Sequence, residues 1–268
     1  MATESSPQAV DKPVLTEVGA FRQTVLITGA TGGLGTAFAE LFDHHNWHLV
    51  LTGRNIDSLK KLASKLKDNA TLIEIDLGVP GAVPQLMAEL AKRDETIDAL
   101  VNNAGFSNFG LFHEIPVEKS NEMLVVNIRT LTELTRNLLP GMVERKRGYV
   151  LNVASTAAFM PGPYMATYYA SKAYVLSFSE ALAEELKGTG VNVTCLCPGP
   201  TKTGFQNAAK MENSKLMTGN FMAPEPVVRA GYQALMSGKT VVIPGLMNQI
   251  QALMPKLMPR KLIPGMVK

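Results

Sequence analysis

The chain has 268 residues, 46% hydrophobic and 18% charged, with a formal net charge of +3. That much apolar material excludes global disorder, and a near-balanced charge with only the short cluster Arg145-Lys146-Arg147 argues against a nucleic-acid binder. The two cysteines, Cys195 and Cys197, stand too close on one apparent strand to bridge each other, so they read as packed thiols in a reducing compartment.

Residues 1–21 read as an N-terminal extension; its first part is polar, with Glu4, Pro7, Asp11 and Pro13 and no apolar leader core. No apolar run reaches the roughly 18 residues that a membrane span needs, so a cytoplasmic protein is expected. Thr24 to Ile27 is a short apolar strand that runs into a glycine-rich turn. From Leu34 to His45 apolar residues recur at helical spacing. A second strand over His48–Thr52 follows, then a helix through Leu59, Leu62, Ala63 and Leu66, and a third strand over Thr71–Ile75. A helix opens near Pro84, and Ile97–Val101 is the fourth strand. Glu118 to Leu139 reads as a helix stopped by Pro140-Gly141. Tyr149–Val153 is the fifth strand, Tyr168 to Leu186 a long helix ended by Gly188 and Gly190, Val191–Leu196 the sixth strand and Thr240–Ile243 the seventh. Strands alternating with helices, and themselves mostly apolar, predict a seven-stranded parallel sheet covered on both faces, one doubly wound Rossmann-type α/β domain over about residues 22–245.

Thr28-Gly29-Ala30-Thr31-Gly32-Gly33-Leu34-Gly35 ends the first strand and opens a helix. There glycines admit a pyrophosphate close to the backbone, and free N–H groups at the helix start face its charge. The spacing is G-x-x-x-G-x-G rather than the commoner G-x-G-x-x-G. Further along, Asn102-Asn103-Ala104-Gly105 ends strand four, Ser155 follows strand five, Tyr168 and Lys172 lie four apart on a helix, and Pro198-Gly199 ends strand six. With these residues the sequence resembles the short-chain dehydrogenase/reductase family from about Thr24 to Ile243.

The resemblance implies a nicotinamide cofactor held by Gly29, Thr31, Gly32, Gly33, Leu34 and Gly35. Asp76 and Leu77 would meet the adenine edge, Asn103, Ala104 and Gly105 would line the cofactor, and Pro198, Gly199, Thr201 and Thr203 would approach the nicotinamide. No acid occurs between Leu49 and Ile56, where one would repel a 2′-phosphate, and Arg54 offers a cationic fork to it. NADP(H) is therefore favoured over NAD(H), although Gly32 stands where some NADP(H)-dependent members carry a second basic residue.

Tyr168 and Lys172 share one helix face. A neighbouring ammonium and a cationic nicotinamide ring favour phenolate, so Tyr168 is expected to act as the general acid of reduction or base of oxidation. Neither Tyr164 nor Tyr169 has a lysine four residues on. By the resemblance Ser155 would donate to the substrate oxygen, Lys172 would also hold the nicotinamide ribose, and Asn127 would hold a relay water. His44, His45 and His48 lack ligand partners at metal spacing and read as surface or capping residues; no metal is expected.

Phe106, Phe109, Phe112, Phe159, Met160, Tyr164 and Met165 are candidate pocket residues, with Phe205 and the segment of about residues 200–224 as a substrate lid. That lining suits a bulky hydrophobic ketone or aldehyde. Residues 246–268 form a basic, Met- and Pro-rich tail with Lys256, Arg260, Lys261 and Lys268 and no acid, cut by Pro255, Pro259 and Pro264. It fits packing over the cleft or a subunit neighbour better than contact with a membrane surface. The expected function is an NADP(H)-dependent carbonyl reductase, by resemblance a homodimer or homotetramer. A 3-oxoacyl or hydroxysteroid-type dehydrogenase is the nearest alternative, and a non-catalytic NADP(H)-sensing protein the more distant one.

Overall fold

β1 (Thr24–Ile27) is apolar and buried along its whole length, which suits only a strand covered on both faces. It pairs in parallel with β2 (His48–Gly53), Leu26 opposite Val50, and β2 pairs with β3 (Thr71–Glu74). On its other side β1 pairs with β4 (Ala99–Asn102), followed outward by β5 (Gly148–Val153), β6 (Val191–Leu196) and the short β7 (Val241–Val242). The order β3-β2-β1-β4-β5-β6-β7 reverses the winding between β1 and β4 and opens a crevice at the strands' carboxyl ends. The computed structural model describes residues 22–67, 70–204 and 221–267.

Helices cover both faces. On one, α1 (Gly33–His44) and α2 (Ile56–Ala63) bury Phe38, Phe42, Leu59 and Leu62 against the sheet. Each such side chain contributes about 1.5–3 kcal/mol when fully removed from water. The same layer holds α7 (Pro224–Met236), through Val227, Val228 and Leu235. On the other face lie α3 (Ala82–Lys92), α5 (Leu131–Glu144) and α6 (Ala166–Glu185), which bury Leu86, Leu134, Met142 and Leu182. Beyond β7, α8 (Leu246–Leu257) and α9 (Ile263–Val267) carry the tail.

Several boundaries differ from the sequence expectation for local reasons. The second helix begins earlier, because Asn55 caps it by accepting the Ser58 N–H at 2.8 Å. Strand four is bounded at Ala99, although the Asp98 backbone already bonds Thr24 and Tyr149 on either side; its carboxylate also accepts the Thr24 N–H and the Arg147 guanidinium. Pro140 does not stop its helix: α5 runs on to Glu144. A proline inside a helix costs about 3 kcal/mol, and here the extra turn carries the fully buried Met142 and sends Arg145 to the Ile97 carbonyl at 2.9 Å. The preceding helix α4 (Val117–Leu124) joins α5 through a π-helical turn, Val125–Thr130, with Asn127 inside it. α7 was not read from the sequence; its prolines fall in the first turn, where a missing N–H is harmless. Pro255 sits in the last turn of α8 without dividing it.

Candidate active site

The crevice at the carboxyl ends of the strands is a cleft of about 870 Å³. One end is built by the glycine turn after β1. Gly29 has φ +61°, open to glycine, and a Cβ there would press on Ala104 at 3.0 Å. At Gly35 a Cβ would collide with the Gly29 carbonyl, so Gly35 lets α1 start tight against the turn without itself lining the cleft. Gly32, the residue before α1, carries no side-chain cap, so the first N–H groups of the helix are left to the cleft. Asn103 braces the turn, its Nδ2 donating to the Thr28 and Gly29 carbonyls at 2.9 and 3.0 Å.

Gly29, Thr31, Gly32, Gly33 and Leu34 line this end with Arg54, Asp76, Leu77, Asn103, Ala104 and Gly105. Arg54 is exposed at the rim. Thr52, missed in the sequence, also lines it, and its buried hydroxyl has no partner among the described residues. An uncapped helix start, glycines where a Cβ would collide, and an orphaned buried hydroxyl fit a long phosphorylated cofactor.

The other end gathers Ser155, Tyr168 and Lys172 with Pro198, Gly199, Thr201 and Thr203. Ser155 ends β5's extension and caps a short 3-10 turn, Thr156–Phe159, accepting the Ala157 N–H at 3.1 Å. Its side chain also lies near enough to Tyr168 to act on the phenol. Lys172, one turn along α6, donates to the Val153 carbonyl at 2.8 Å and lies 5.8 Å from the Tyr168 ring centroid.

Burial dominates the titration of this group. It pushes the Tyr168 phenol up to about 12 against the lowering by Ser155, with Tyr169 adding to the rise. The expected lowering by Lys172 does not offset this rise. Burial pulls the Lys172 ammonium down to about 8, opposed by Cys195 and Cys197. Those two thiols are free and buried, 3.7 Å apart at the carboxyl end of β6.

Asn127 does not line the cleft. Its amide is engaged with the loop after β4: Nδ2 donates to the Phe106 carbonyl at 3.0 Å and to Ser171 Oγ at 3.1 Å, and Oδ1 accepts the Phe106 N–H. The side chain therefore pins the Gly105-Phe106 backbone beside Lys172.

The substrate end differs from expectation. Phe106 and Met165 line the cleft, as does Met160. Phe159, one residue earlier, points into the core against Leu131, Val175 and the cysteines, because successive residues of the turn diverge. Tyr164 is also outside the cleft. It sits at φ +64°, accepts the Gly110 N–H at its carbonyl and packs its ring on Phe109, centroids 5.7 Å apart. Phe205 and most of the expected lid lie outside the described residues. Its stem is described: Thr201 bridges Met222, and Lys202 donates to the Met222 carbonyl at 2.8 Å.

Over this end lies the tail. Gln251, Met254, Pro255 and Met258 from α8 and the residues after it, and Ile263 and Met266 from α9, form an apolar roof. Asn248 seats α8 on the Pro198-Gly199 loop, where a Cβ on Gly199 would collide with it. The histidines serve the scaffold: His45 stacks on Tyr232 at 4.5 Å, and His48 bonds Glu95 and Thr71. No helix among the described residues is long and apolar enough to cross a membrane.

Residues 23–214 match the family model described as short chain dehydrogenase. The chain is 40% identical over 177 residues, 65% of its length and 71% of the relative's, to the NADP-dependent 3-hydroxy acid dehydrogenase YdfG of Salmonella typhi. Among solved structures it is similar to a short-chain dehydrogenase from Sphingobium yanoikuyae in complex with NADPH, at 30% identity and TM-score 0.78, covering 88% of this chain and 93% of that one. A structure of a 7β-hydroxysteroid dehydrogenase aligns with TM-score 0.81 at 26% identity, covering 91% and 96%.

Proposed function

The chain belongs to the short-chain dehydrogenase family, and on that footing we propose that it is an NADP(H)-dependent oxidoreductase reducing a bulky hydrophobic ketone or aldehyde. The observation that carries this is the joining, in one cleft, of a glycine-lined phosphate cradle, Tyr168 with Ser155 and Lys172 beside it, and a methionine-rich roof.

NADPH, when bound, supplies the hydride that the carbonyl carbon accepts. Thr31, Gly32, Gly33 and Leu34 would hold its pyrophosphate at the start of α1, with Arg54 at the 2′-phosphate and Asp76 and Leu77 by the adenine. Asn103, Ala104 and Gly105 would line its middle, and Pro198, Gly199, Thr201 and Thr203 would enclose the nicotinamide.

The protein's own groups manage the proton. Tyr168 is a neutral phenol at physiological pH, the form that gives a proton to the alkoxide oxygen as it develops. Ser155 polarises the same oxygen by donating to it. Lys172 stabilises the phenolate left behind, and with its ammonium held near 8 it is a proton source close to neutrality. Asn127 acts as a positioning residue, fixing the loop that faces Lys172.

The relatives named for 3-hydroxy acids handle a carboxylate. In this cleft the lining cations among the described residues are Lys172, committed to the reacting group at β5, and Arg54, three strands away at the end of β2. A hydrophobic carbonyl fits that lining better than a small hydroxy acid. A hydroxysteroid-type substrate is the second reading, favoured by the wide apolar roof. Homo-oligomerisation belongs to the same proposal and rests on family membership. NADPH oxidation with aliphatic, aromatic, β-ketoacyl, steroid and 3-oxo acid carbonyls tests it. Turnover with hydrophobic ketones, lost in Tyr168→Phe, is the expected result. Turnover confined to 3-oxo acids overturns the substrate class, and NADPH binding without turnover favours a sensor.

A further inference from the structure

α8 is turned inside out relative to an ordinary surface helix. Leu246, Ile250, Leu253 and Leu257 recur at spacings of four, three and four and so share one side. That side faces outward: the four are 71%, 45%, 55% and 87% exposed. The opposite side, with Asn248, Ala252 and Pro255, is the one seated on the protein, Ala252 being 1% exposed. Met247, Leu262 and Met266 extend the exposed apolar surface. An apolar stripe of this extent on the outer side of a helix calls for a partner.

Charge identifies which partner. From Pro226 to Lys268 the sequence contains no Asp or Glu, and Lys256, Arg260 and Lys261 stand exposed beside or just beyond the stripe. A second copy docking through this same face about a two-fold axis would bring these cations toward their counterparts, with no acid in the segment to offset them. An anionic lipid surface satisfies both features, apolar side chains entering the acyl boundary and cations meeting the headgroups.

We propose that α8 and the basic stretch after it dock this protein on an anionic lipid surface. Met254, Met258 and Met266 belong at once to this exposed region and to the roof of the cleft. Docking thus sets the cleft mouth at the lipid boundary, where a lipophilic carbonyl concentrates. The docking does not depend on the reaction proposed above.

The test is co-sedimentation of the full chain with phosphatidylcholine vesicles, with and without 30% phosphatidylglycerol, at low and high salt. The chain is expected to sediment with the anionic vesicles, at least ten-fold less with neutral ones, and to be released by salt. The double variant Leu253→Ser/Leu257→Ser, in residues that do not line the cleft, and the variant Lys256→Gln/Arg260→Gln/Lys261→Gln are each expected to lose at least ten-fold in binding. NADPH-induced rise in Tm, retained in both, shows that they fold. Absence of sedimentation with anionic vesicles, equal sedimentation with neutral ones, or binding unchanged in the variants overturns the proposal. If absence is accompanied by a smaller oligomer for Leu253→Ser/Leu257→Ser in solution, the stripe is instead an interface between copies of this chain.

Discussion

Lys172 Nζ donates its 2.8 Å hydrogen bond to the carbonyl oxygen of Val153, the last residue of β5 and two before Ser155. One contact thereby ties α6, which carries Tyr168, to the strand end that carries Ser155. That bond places Tyr168 and Ser155 on elements fixed to each other at the same end of the cleft.

Replacing Tyr168 by Phe removes the proposed proton donor while keeping the buried ring. Turnover is expected to fall by about 10²–10⁴-fold, the usual worth of a positioned general acid. NADPH affinity, followed by fluorescence titration, should change little. An equal loss of both would mean that the ring's hydroxyl holds the cofactor rather than the proton.

Arg54→Asp places an acid where the cation stands at the cleft rim. A charge-assisted hydrogen bond contributes about 1.5–3 kcal/mol, so NADPH affinity should drop about ten- to a hundred-fold or more, with NADH affinity kept or improved. A parallel loss of both cofactors would remove Arg54 from the 2′-phosphate site.

Burial of Lys172 makes stability depend on pH. Its folded value, near 8, lies below that of an exposed lysine, so the unfolded chain binds more protons between the two values. Stability from this group is present above the unfolded value and lost as pH falls through about 8. Urea unfolding should show wild-type stability rising from pH 8 toward 10, by up to about 3 kcal/mol, and Lys172→Met should flatten that slope. Tyr168 works in the opposite sense at higher pH: raised to about 12, it contributes stability below its unfolded value that fades as pH climbs through 12.

Thr52→Val keeps the shape of a fully buried residue and deletes a hydroxyl without a partner. Stability is expected to hold or rise by about 1 kcal/mol. If the hydroxyl serves the cofactor, NADPH binding weakens at the same time. An unchanged Kd would leave Thr52 as a packing residue.

Phe159→Ala and Met160→Ala separate core from cleft. The first should lower stability by about 2 kcal/mol or more with KM unaffected, and the second should move KM for hydrophobic ketones with little effect on unfolding. The reverse pattern would restore Phe159 to the pocket.

The strands and the long helices were readable because continuous apolar runs and glycine or proline boundaries report burial on both faces directly. The glycine turn after β1 was readable for the same local reason: a Cβ at Gly29 or Gly35 would press on neighbouring backbone. What the sequence hid depends on orientation. Phe159 and Met160 are neighbours with similar apolar character, and only the direction of the 3-10 turn sends one inward and the other to the cleft. Pro140 looked like a stop because the burial of Met142 beyond it is a tertiary effect. The tail's prolines suggested a broken segment, whereas the structure runs α8 through Pro255 and seats its Asn248–Ala252 side. Thr52 looked like any strand threonine.

The roof over the Tyr168 end of the cleft comes from residues 251–267, beyond β7, the last strand of the sheet. The cofactor cradle and Tyr168–Lys172 pair thus lie on the sheet and α6, while the roof is a later segment seated on them through Asn248 at Gly199. Such a layout lets evolution, or an engineer, exchange the enclosure as a cassette and redirect the enzyme to new molecules while the machinery beneath stays untouched.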